Sequence, residues 1–242
     1  MTPITPLAYT VKSLKLRNLK AQYRNHYSTP KLLKFLAAPD FYVMEKNCET
    51  IKKDRTTMVT VERHLIKKCP IVIKRFNTKN AWHALRRTIR QSRAENCWLQ
   101  AINLERLGIA IAPPVAFIQE YLGPGLKGCS WYISEFVDGP SCLDQLQGGS
   151  LGENDEVMEQ IVKTLNFLWK NYISHGDTKG SNFLLAESRA IVLDLDGMKQ
   201  HRNAKDAEPF IHKDVERFLR NWHSNPHLFE LAQKKLRPTG FS

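Results

Sequence analysis

The feature that most constrains the fold is a polar loop set between one long helix-like run and two short apolar runs. Its core reads His175-Gly176-Asp177-Thr178-Lys179-Gly180-Ser181-Asn182, and Ile191-Val192-Leu193-Asp194-Leu195-Asp196-Gly197 follows shortly after. Upstream, Met158, Ile161, Val162, Leu165, Phe167, Leu168 and Trp169 recur at helical spacing, and the pattern breaks at residues 174–180. Downstream, Phe183-Leu184-Leu185 and Ile191-Val192-Leu193 flank a short polar stretch and read as a small hairpin. The spacing predicts helix, loop, strand, turn, strand. Asp177 and Asn182 then leave the loop, Asp194 leaves the second strand, and the three can converge.

Each fragment has an ordinary explanation by itself, since His-Gly-Asp occurs in many loops and Asp-Leu-Asp-Gly is a common turn after a strand. Their joint order is more demanding. A carboxylate, a cation, an amide and a second carboxylate in this sequence are the groups that phosphoryl transfer from ATP needs, a reaction that depends on positioning and charge. Asp177 would stand beside an attacking hydroxyl, Lys179 at the transferred phosphoryl, and Asn182 with Asp194 at a metal ion.

These residues resemble the catalytic loop and metal-binding strand of the protein-kinase-like superfamily. The closer resemblance is to the lipopolysaccharide core kinase family, the Kdo and heptose kinases of Gram-negative bacteria. Like that family, the chain has His175-Gly176-Asp177 where protein kinases have His-Arg-Asp, and Asp194-Leu195-Asp196 where they have Asp-Phe-Gly. The resemblance implies a two-lobed, protein-kinase-like α+β fold. Residues 1–137 would form a small β-rich lobe with one long helix, and residues 138–242 a mainly helical lobe carrying the catalytic loop.

The first lobe should then carry a strand lysine and a helix glutamate. Pro70-Ile71-Val72-Ile73-Lys74-Arg75-Phe76 is β-prone and ends near Lys74, the candidate partner of the ATP phosphates, although a solvated lysine on an edge strand would read the same. Residues 88–107 read as one helix ending at Gly108. Glu95 shares its apolar face with Trp98, Leu99 and Ile102, so it needs a partner, which Lys74 could supply. Residues 131–139 read as a last strand running into a hinge, and the resemblance places adenine against backbone groups from Glu135 to Val137. One departure stands out: no glycine precedes Gly108. The segment at 52–61, in the place of a glycine-rich cover, would have to use Lys, Arg or Thr side chains or leave the phosphates open. Glycolipid and small-molecule kinases of the superfamily commonly lack that signature, and so do pseudokinases.

Residues 213–222 read as a helix with Val215, Phe218, Leu219 and Trp222 on one stripe. Asp214 resembles a family position that supports the catalytic loop, and a helix N-terminal aspartate explains it equally well. Alternation along an extended segment would put Asp196 on the face of Asp194, for metal or for turn capping. His175 reads as a structural anchor rather than a base. The roughest linker is the Gly-, Ser- and Asn-rich stretch at 145–155.

The five cysteines form no Cys-x-x-Cys pair and leave an odd count, which argues against a disulfide scaffold or structural zinc. No apolar run approaches a membrane span and the N-terminus lacks a signal pattern, so a cytoplasmic location is expected. The net charge of +12 is densest at Lys12, Lys15, Arg17, Lys20, Arg24, Lys31 and Lys34. Such a stretch is either a solvated basic face or a contact for an anionic surface. The resemblance favours the inner leaflet of the bacterial membrane, with a peripheral location there, because a lipopolysaccharide precursor is an anionic glycolipid embedded in it. Neither zinc-finger spacing nor an aromatic RNA-binding signature occurs, so no specific nucleic acid partner is expected.

The reaction implied by the resemblance is transfer of the ATP γ-phosphoryl to a Kdo or heptose hydroxyl of the lipopolysaccharide inner core, with ATP and Mg²⁺. Asp177 orients the acceptor and takes its proton, Lys179 balances charge, Asn182 and Asp194 hold Mg²⁺, and Lys74, fixed by Glu95, grips the phosphates. A small-molecule phosphotransferase of aminoglycoside or choline kinase type would share every one of these groups, and a pseudokinase scaffold would keep the fold alone.

Overall fold

The computed structural model describes residues 10–45, 48–66, 69–77, 91–148, 151–186 and 189–238. The chain divides into two compact units, residues 1–102 with 112–136, and residues 103–111 with 137–242.

The first unit is built on a seven-stranded sheet. Its strands are β1 (Val11–Lys15), β2 (Leu19–Arg24), β3 (Glu49–Lys53), β4 (Thr57–Glu62), β5 (Ile71–Phe76), β6 (Pro114–Gly123) and β7 (Leu126–Glu135). They lie in the order β1-β2-β6-β7-β5-β4-β3, and every neighbouring pair is antiparallel. Alternation fixes the two faces. Ala21, Ile118, Trp131, Ile133, Ile71 and Ile73 point to one face and are buried with Leu32, Phe35 and Leu36 of helix α1 (Pro30–Ala37). The basic segment forms the edge strand β1 and its neighbour β2, then α1 and a short α2 (Pro39–Glu45). Thr29 caps α1 by accepting from the Leu32 N–H at 3.1 Å, with Pro30 in its first turn.

The opposite face carries Phe117 and Tyr132, which pair in register across β6 and β7. It is covered by α3 (Arg93–Arg106), whose Trp98 ring lies 5.9 Å from that of Phe117. The helix begins at Arg93 rather than at Thr88: Gln91 and Ser92 are not helical, and residues 88–90 lie outside the described residues. Ser92 sets the start, since its hydroxyl accepts from the Glu95 N–H at 3.2 Å in a Ser-x-x-Glu pattern.

The second unit is mainly helical, with α4 (Cys142–Gly148), α5 (Leu151–Lys170), α6 (Ala204–Arg220) and α7 (Pro226–Lys235). Met158, Ile161, Val162, Leu165, Leu168 and Trp169 of α5 are all buried, each contributing about 1.5–3 kcal/mol by leaving water. Phe167, counted with them from spacing, is instead exposed. The expected linker at 145–155 is largely helix end and helix start, because Ser141 caps α4 by accepting from the Asp144 N–H at 3.1 Å. Strands β9 (Phe183–Ala186) and β10 (Arg189–Val192) form the predicted antiparallel hairpin, while the short β8 (Ile173–Ser174) and β11 (Lys199–Gln200) pair beside the loop. Helix α6 starts at Ala204, with Asn203 accepting from the Asp206 N–H at 2.9 Å. Asp214 therefore lies deep within α6 and cannot be serving its N-terminus.

Among the described residues no helix is long and apolar enough to cross a membrane.

Candidate active site

The polar loop of residues 175–182 is held by one stripe of α6. The buried positions of that helix are Ala207, Ile211, Asp214 and Phe218, so the inward face includes a carboxylate where the sequence reading saw Val215, Phe218, Leu219 and Trp222. Asp214 is 1% exposed. Its Oδ2 accepts from the His175 N–H at 2.6 Å and its Oδ1 from the Gly176 N–H at 2.8 Å, and the Trp169 indole N–H lies 3.4 Å from Oδ2. The Thr178 hydroxyl donates to the Asp214 carbonyl at 2.6 Å. Further along α6, Arg217 reaches Asp177, and the end of the helix places Asn221, whose amide donates to the Thr178 carbonyl at 3.1 Å. Spacing of three and then four residues puts 214, 217 and 221 on one helical line.

His175 is the second anchor. It is fully buried, and its Nε2 donates to the Leu193 carbonyl at 3.1 Å, which leaves Nδ1 to accept from the Asp177 N–H at 3.3 Å. Both ring nitrogens are thus engaged within the protein, as befits a structural anchor. Burial pushes its pKa below the ordinary 6.5, and burial lowers that of His201, whose Nε2 lies 2.8 Å from Ser174 Oγ, in the same way. The unfolded chain takes up protons at these sites below about pH 6.5 while the folded chain resists, so their stabilisation is present at neutral pH and is lost on acidification. Burial raises the pKa of Asp214, which acts in the opposite sense, from the ordinary 3.8 upward. The histidines are therefore read at the upper end of the range. We expect the melting temperature to fall as pH drops from about 7.5 to 6; a flat or rising profile would contradict the assignment of neutral, buried rings.

The loop then closes against residues 193–197. The Leu193 N–H donates to the Asn182 carbonyl at 2.9 Å, and Gly176 lies against the backbone of Gly197. Gly176 has φ +83°, and a Cβ there would sit 2.7 Å from the Gly197 carbonyl oxygen. Any side chain would be both strained and obstructed. Gly176→Ala should therefore cost at least the ~1–2 kcal/mol of a left-handed L-residue, lowering the melting temperature by at least about 2–4 °C. Wild-type melting of that variant would contradict this account of the close approach.

Asp194 has φ 56°, a left-handed conformation that aspartate tolerates better than most residues, and Leu195–Gly197 follows as a single 3₁₀ turn. The segment is thus not extended, and the alternation that paired Asp196 with Asp194 does not apply. Strained backbone of this kind tends to persist where surrounding structure imposes it for a function.

Asp177 stands at the loop's accessible side. Arg217 Nη1 donates to its Oδ1 at 2.6 Å, and Lys179 Nζ lies 3.7 Å from its Oδ2. Asn182 Nδ2 donates to the Asp177 carbonyl at 2.8 Å, which commits the amide nitrogen to the loop and leaves the oxygen end to serve as a ligand. Asn182 and Asp194, the expected metal ligands, sit on segments tied by the bond from the Leu193 N–H to the Asn182 carbonyl, and both carry hard oxygen donors. Such a pair suits Mg²⁺, which is commonly held by one or two carboxylates and completed by waters and phosphates. Among the described residues no group of three or more His, Cys, Asp or Glu forms a preassembled cage. Arg217 was not identified from the sequence; its only signal was its place one turn after Asp214.

In the first unit, β5 lies between β7 and β4, so Lys74 is on an interior strand rather than an edge. It pairs in register with Tyr132, and its Nζ lies 5.2 Å from the centre of the Phe76 ring on the face covered by α3. The expected Lys74–Glu95 pair is not the one found: Glu95 is 3.8 Å from Lys127 Nζ, at the start of β7. The Glu95 N–H is used by the Ser92 cap, which holds the carboxylate at the first turn of α3.

The Glu135 side chain accepts from Tyr27 Oη at 2.6 Å and from Cys69 Sγ at 3.3 Å. Its N–H donates to the Pro113 carbonyl and that of Phe136 to the Pro70 carbonyl, both at 2.9 Å. These two donors are committed within the first unit, and Val137, which follows, is half-buried.

At the β3–β4 turn, Asp54 Oδ1 accepts from the Thr56 N–H at 2.7 Å, the Thr56 hydroxyl at 2.8 Å and the Thr57 N–H at 2.9 Å. Those bonds, led by the one from the Thr56 backbone, pull the Asp54 carboxyl down to about 2. An aspartate thus closes the turn where a glycine-rich cover was sought. Thr57 faces inward: it is buried, and its Oγ1 accepts from Arg93 at 3.3 Å.

No family model matches the chain. Among solved structures, it is similar to WaaP in complex with acyl carrier protein, with a TM-score of 0.54 over 82% of this chain and 93% of that chain, at 15% identity. At that identity the likeness shows a shared fold.

Proposed function

We propose that the protein is an ATP-dependent kinase that phosphorylates a sugar hydroxyl, Kdo or heptose, of the lipopolysaccharide inner core. The observation that carries this reading is the carboxylate of Asp177. It is presented at an accessible point of a loop whose every turn is bonded to buried partners, with two cations beside it and an amide and a second carboxylate on tied segments. A solvated turn would not need Asp214, His175 and Asn221 beneath it. The fold shared with WaaP and the sequence resemblance to core kinases support the same direction.

In this mechanism Asp177 accepts a hydrogen bond from the acceptor hydroxyl and takes its proton as the oxygen bonds to the γ-phosphorus and the bond to the β-phosphate oxygen breaks. Lys179 offsets charge on the transferred group. Asn182 and Asp194 would hold Mg²⁺, which would neutralise phosphate charge when bound. Lys74 is the proposed grip on the α- and β-phosphates. Because Glu95 engages Lys127, Lys74 in this structure is not preset by that glutamate, and the grip would form with nucleotide present.

The basic segment supports an anionic glycolipid as partner. Lys31 and Lys34 line a cavity of about 530 Å³ together with Phe41, Tyr42, Glu62 and His64, and Phe41 and Met44 of α2 are exposed. Lysines flanking exposed apolar side chains suit a peripheral contact with an anionic leaflet.

The test is phosphate transfer from ATP with Mg²⁺, with and without core-truncated lipopolysaccharide lacking phosphate. Acceptor-dependent transfer is expected. Transfer only to small sugars or aminoglycosides would favour a small-molecule phosphotransferase, and neither turnover nor nucleotide binding would leave a pseudokinase.

A further inference from the structure

We infer that Arg217 is a specificity-determining residue that exchanges its bond to Asp177 for a negative charge on the acceptor, so that the substrate is a charged sugar rather than a neutral one. The inference deepens the kinase reading above and rests on it.

Both oxygens of Asp177 face cations: Oδ1 bonds Arg217 Nη1 at 2.6 Å, and Oδ2 lies 3.7 Å from Lys179 Nζ. A hydroxyl that is to give Asp177 its proton needs one of those oxygens within hydrogen-bond reach. The shorter, better formed contact is the one to Arg217, a charge-assisted bond that competes with an acceptor hydroxyl for the lone pairs of Oδ1. Releasing it strands a guanidinium unless an anion replaces the carboxylate. The Arg217 side chain is 45% exposed while Asp177 is 28% exposed, so the arginine lies open to an arriving ligand on the outer side of the pair. A guanidinium presents five donors in a planar fork, and a carboxylate or phosphate can take two of them in parallel. Lys179 cannot substitute, because the transferred phosphoryl claims it.

The backbone beneath Arg217 does not have to move for the exchange. Asp214, one turn earlier, fixes that part of α6 to the loop, and Asn221, one turn later, holds the Thr178 carbonyl. Only the arginine side chain swings. Charge therefore balances at each stage: the Asp177–Arg217 pair opens, Arg217 pairs with the acceptor anion, and Asp177 bonds the hydroxyl.

The experiment uses two probes, a Kdo glycoside with its free carboxylate and the methyl ester of the same glycoside. Binding by calorimetry and steady-state transfer are measured for wild type, Arg217→Ala and Arg217→Lys, with thermal melting as the check on folding. Wild type is expected to favour the free carboxylate. Arg217→Ala should weaken binding and raise KM for the carboxylate roughly tenfold to a hundredfold, the effect of a lost charge-assisted bond, and weaken ester binding by a clearly smaller factor. Arg217→Lys should recover part of the loss, because lysine keeps the charge without the fork, and it serves as the deciding variant where the alanine protein melts early. Equal losses on both probes, or a wild type indifferent to the charge, would overturn the inference. Arg217-dependent preference in binding without any transfer would keep the inference and defeat the kinase reading instead.

Discussion

Asp177→Asn is expected to reduce acceptor-dependent phosphate transfer by about 10²- to 10⁴-fold, the usual contribution of a positioned proton acceptor. Its melting temperature should stay within a few degrees of wild type. The backbone of residue 177 keeps its bonds to His175 Nδ1 and Asn182 Nδ2, and an amide oxygen can still accept from Arg217. The loop is therefore preserved while the proton acceptor is lost. Nucleotide affinity should change little, since the role proposed for the residue is toward the acceptor. Steady-state assays with a matched melt decide the matter: a loss below about tenfold would show that Asp177 is not the base.

Asp214→Ala should do the reverse, removing activity by removing the fold beneath it. Two backbone N–H groups lose their acceptor, that of His175 in a buried site and that of Gly176 in a part-buried one. Each buried group left unsatisfied costs about 1–3 kcal/mol. A loss of about 4 kcal/mol follows, a large part of the 5–15 kcal/mol that holds a typical domain together. At about 2–4 °C per kcal/mol for a chain of this size, the melt should move down by roughly 10 °C. Asp214→Asn should fall between, because its amide can accept only through one atom and turns a donor toward one of the two N–H groups. If the alanine protein melted within about 2 °C of wild type, Asp214 would not be the support that its bonds describe.

The glycine in His175-Gly176-Asp177 illustrates how far a motif can be read and where reading stops. The sequence displays it as a departure from His-Arg-Asp, with no reason attached. The reason is three-dimensional: positive φ and a carbonyl of Gly197 within reach of any Cβ leave no room for arginine there. The nearer of the two cations beside Asp177 comes from Arg217, forty residues away in sequence.

Asp214 was legible only as two competing roles, because helix boundaries are the least certain part of a periodicity argument. Once α6 begins at Ala204, the N-terminal role is gone and the loop-supporting one is occupied by real donors. Glu95 shows the converse. Of the apolar face read around it, Trp98 is buried but Leu99 is exposed and Glu95 itself is half-buried; the carboxylate does have a partner, but spacing along α3 carries no information about which lysine of which strand stands opposite. Lys127 of β7 fills the place expected for Lys74.

The sequence by itself determined the helix before the loop, the hairpin after it, and the order Asp177, Lys179, Asn182, Asp194. These follow from local period, turn chemistry and composition, which act over a few residues. The tertiary structure alone decided which groups meet: Arg217 on Asp177, Asp214 under His175 and Gly176, Lys127 on Glu95, and the left-handed turn at Asp194. The physical reason is that a buried polar group must find a partner wherever the packed chain brings one. That partner is selected by the register of strands and the rotation of helices about their axes, neither of which is written in any short stretch of residues.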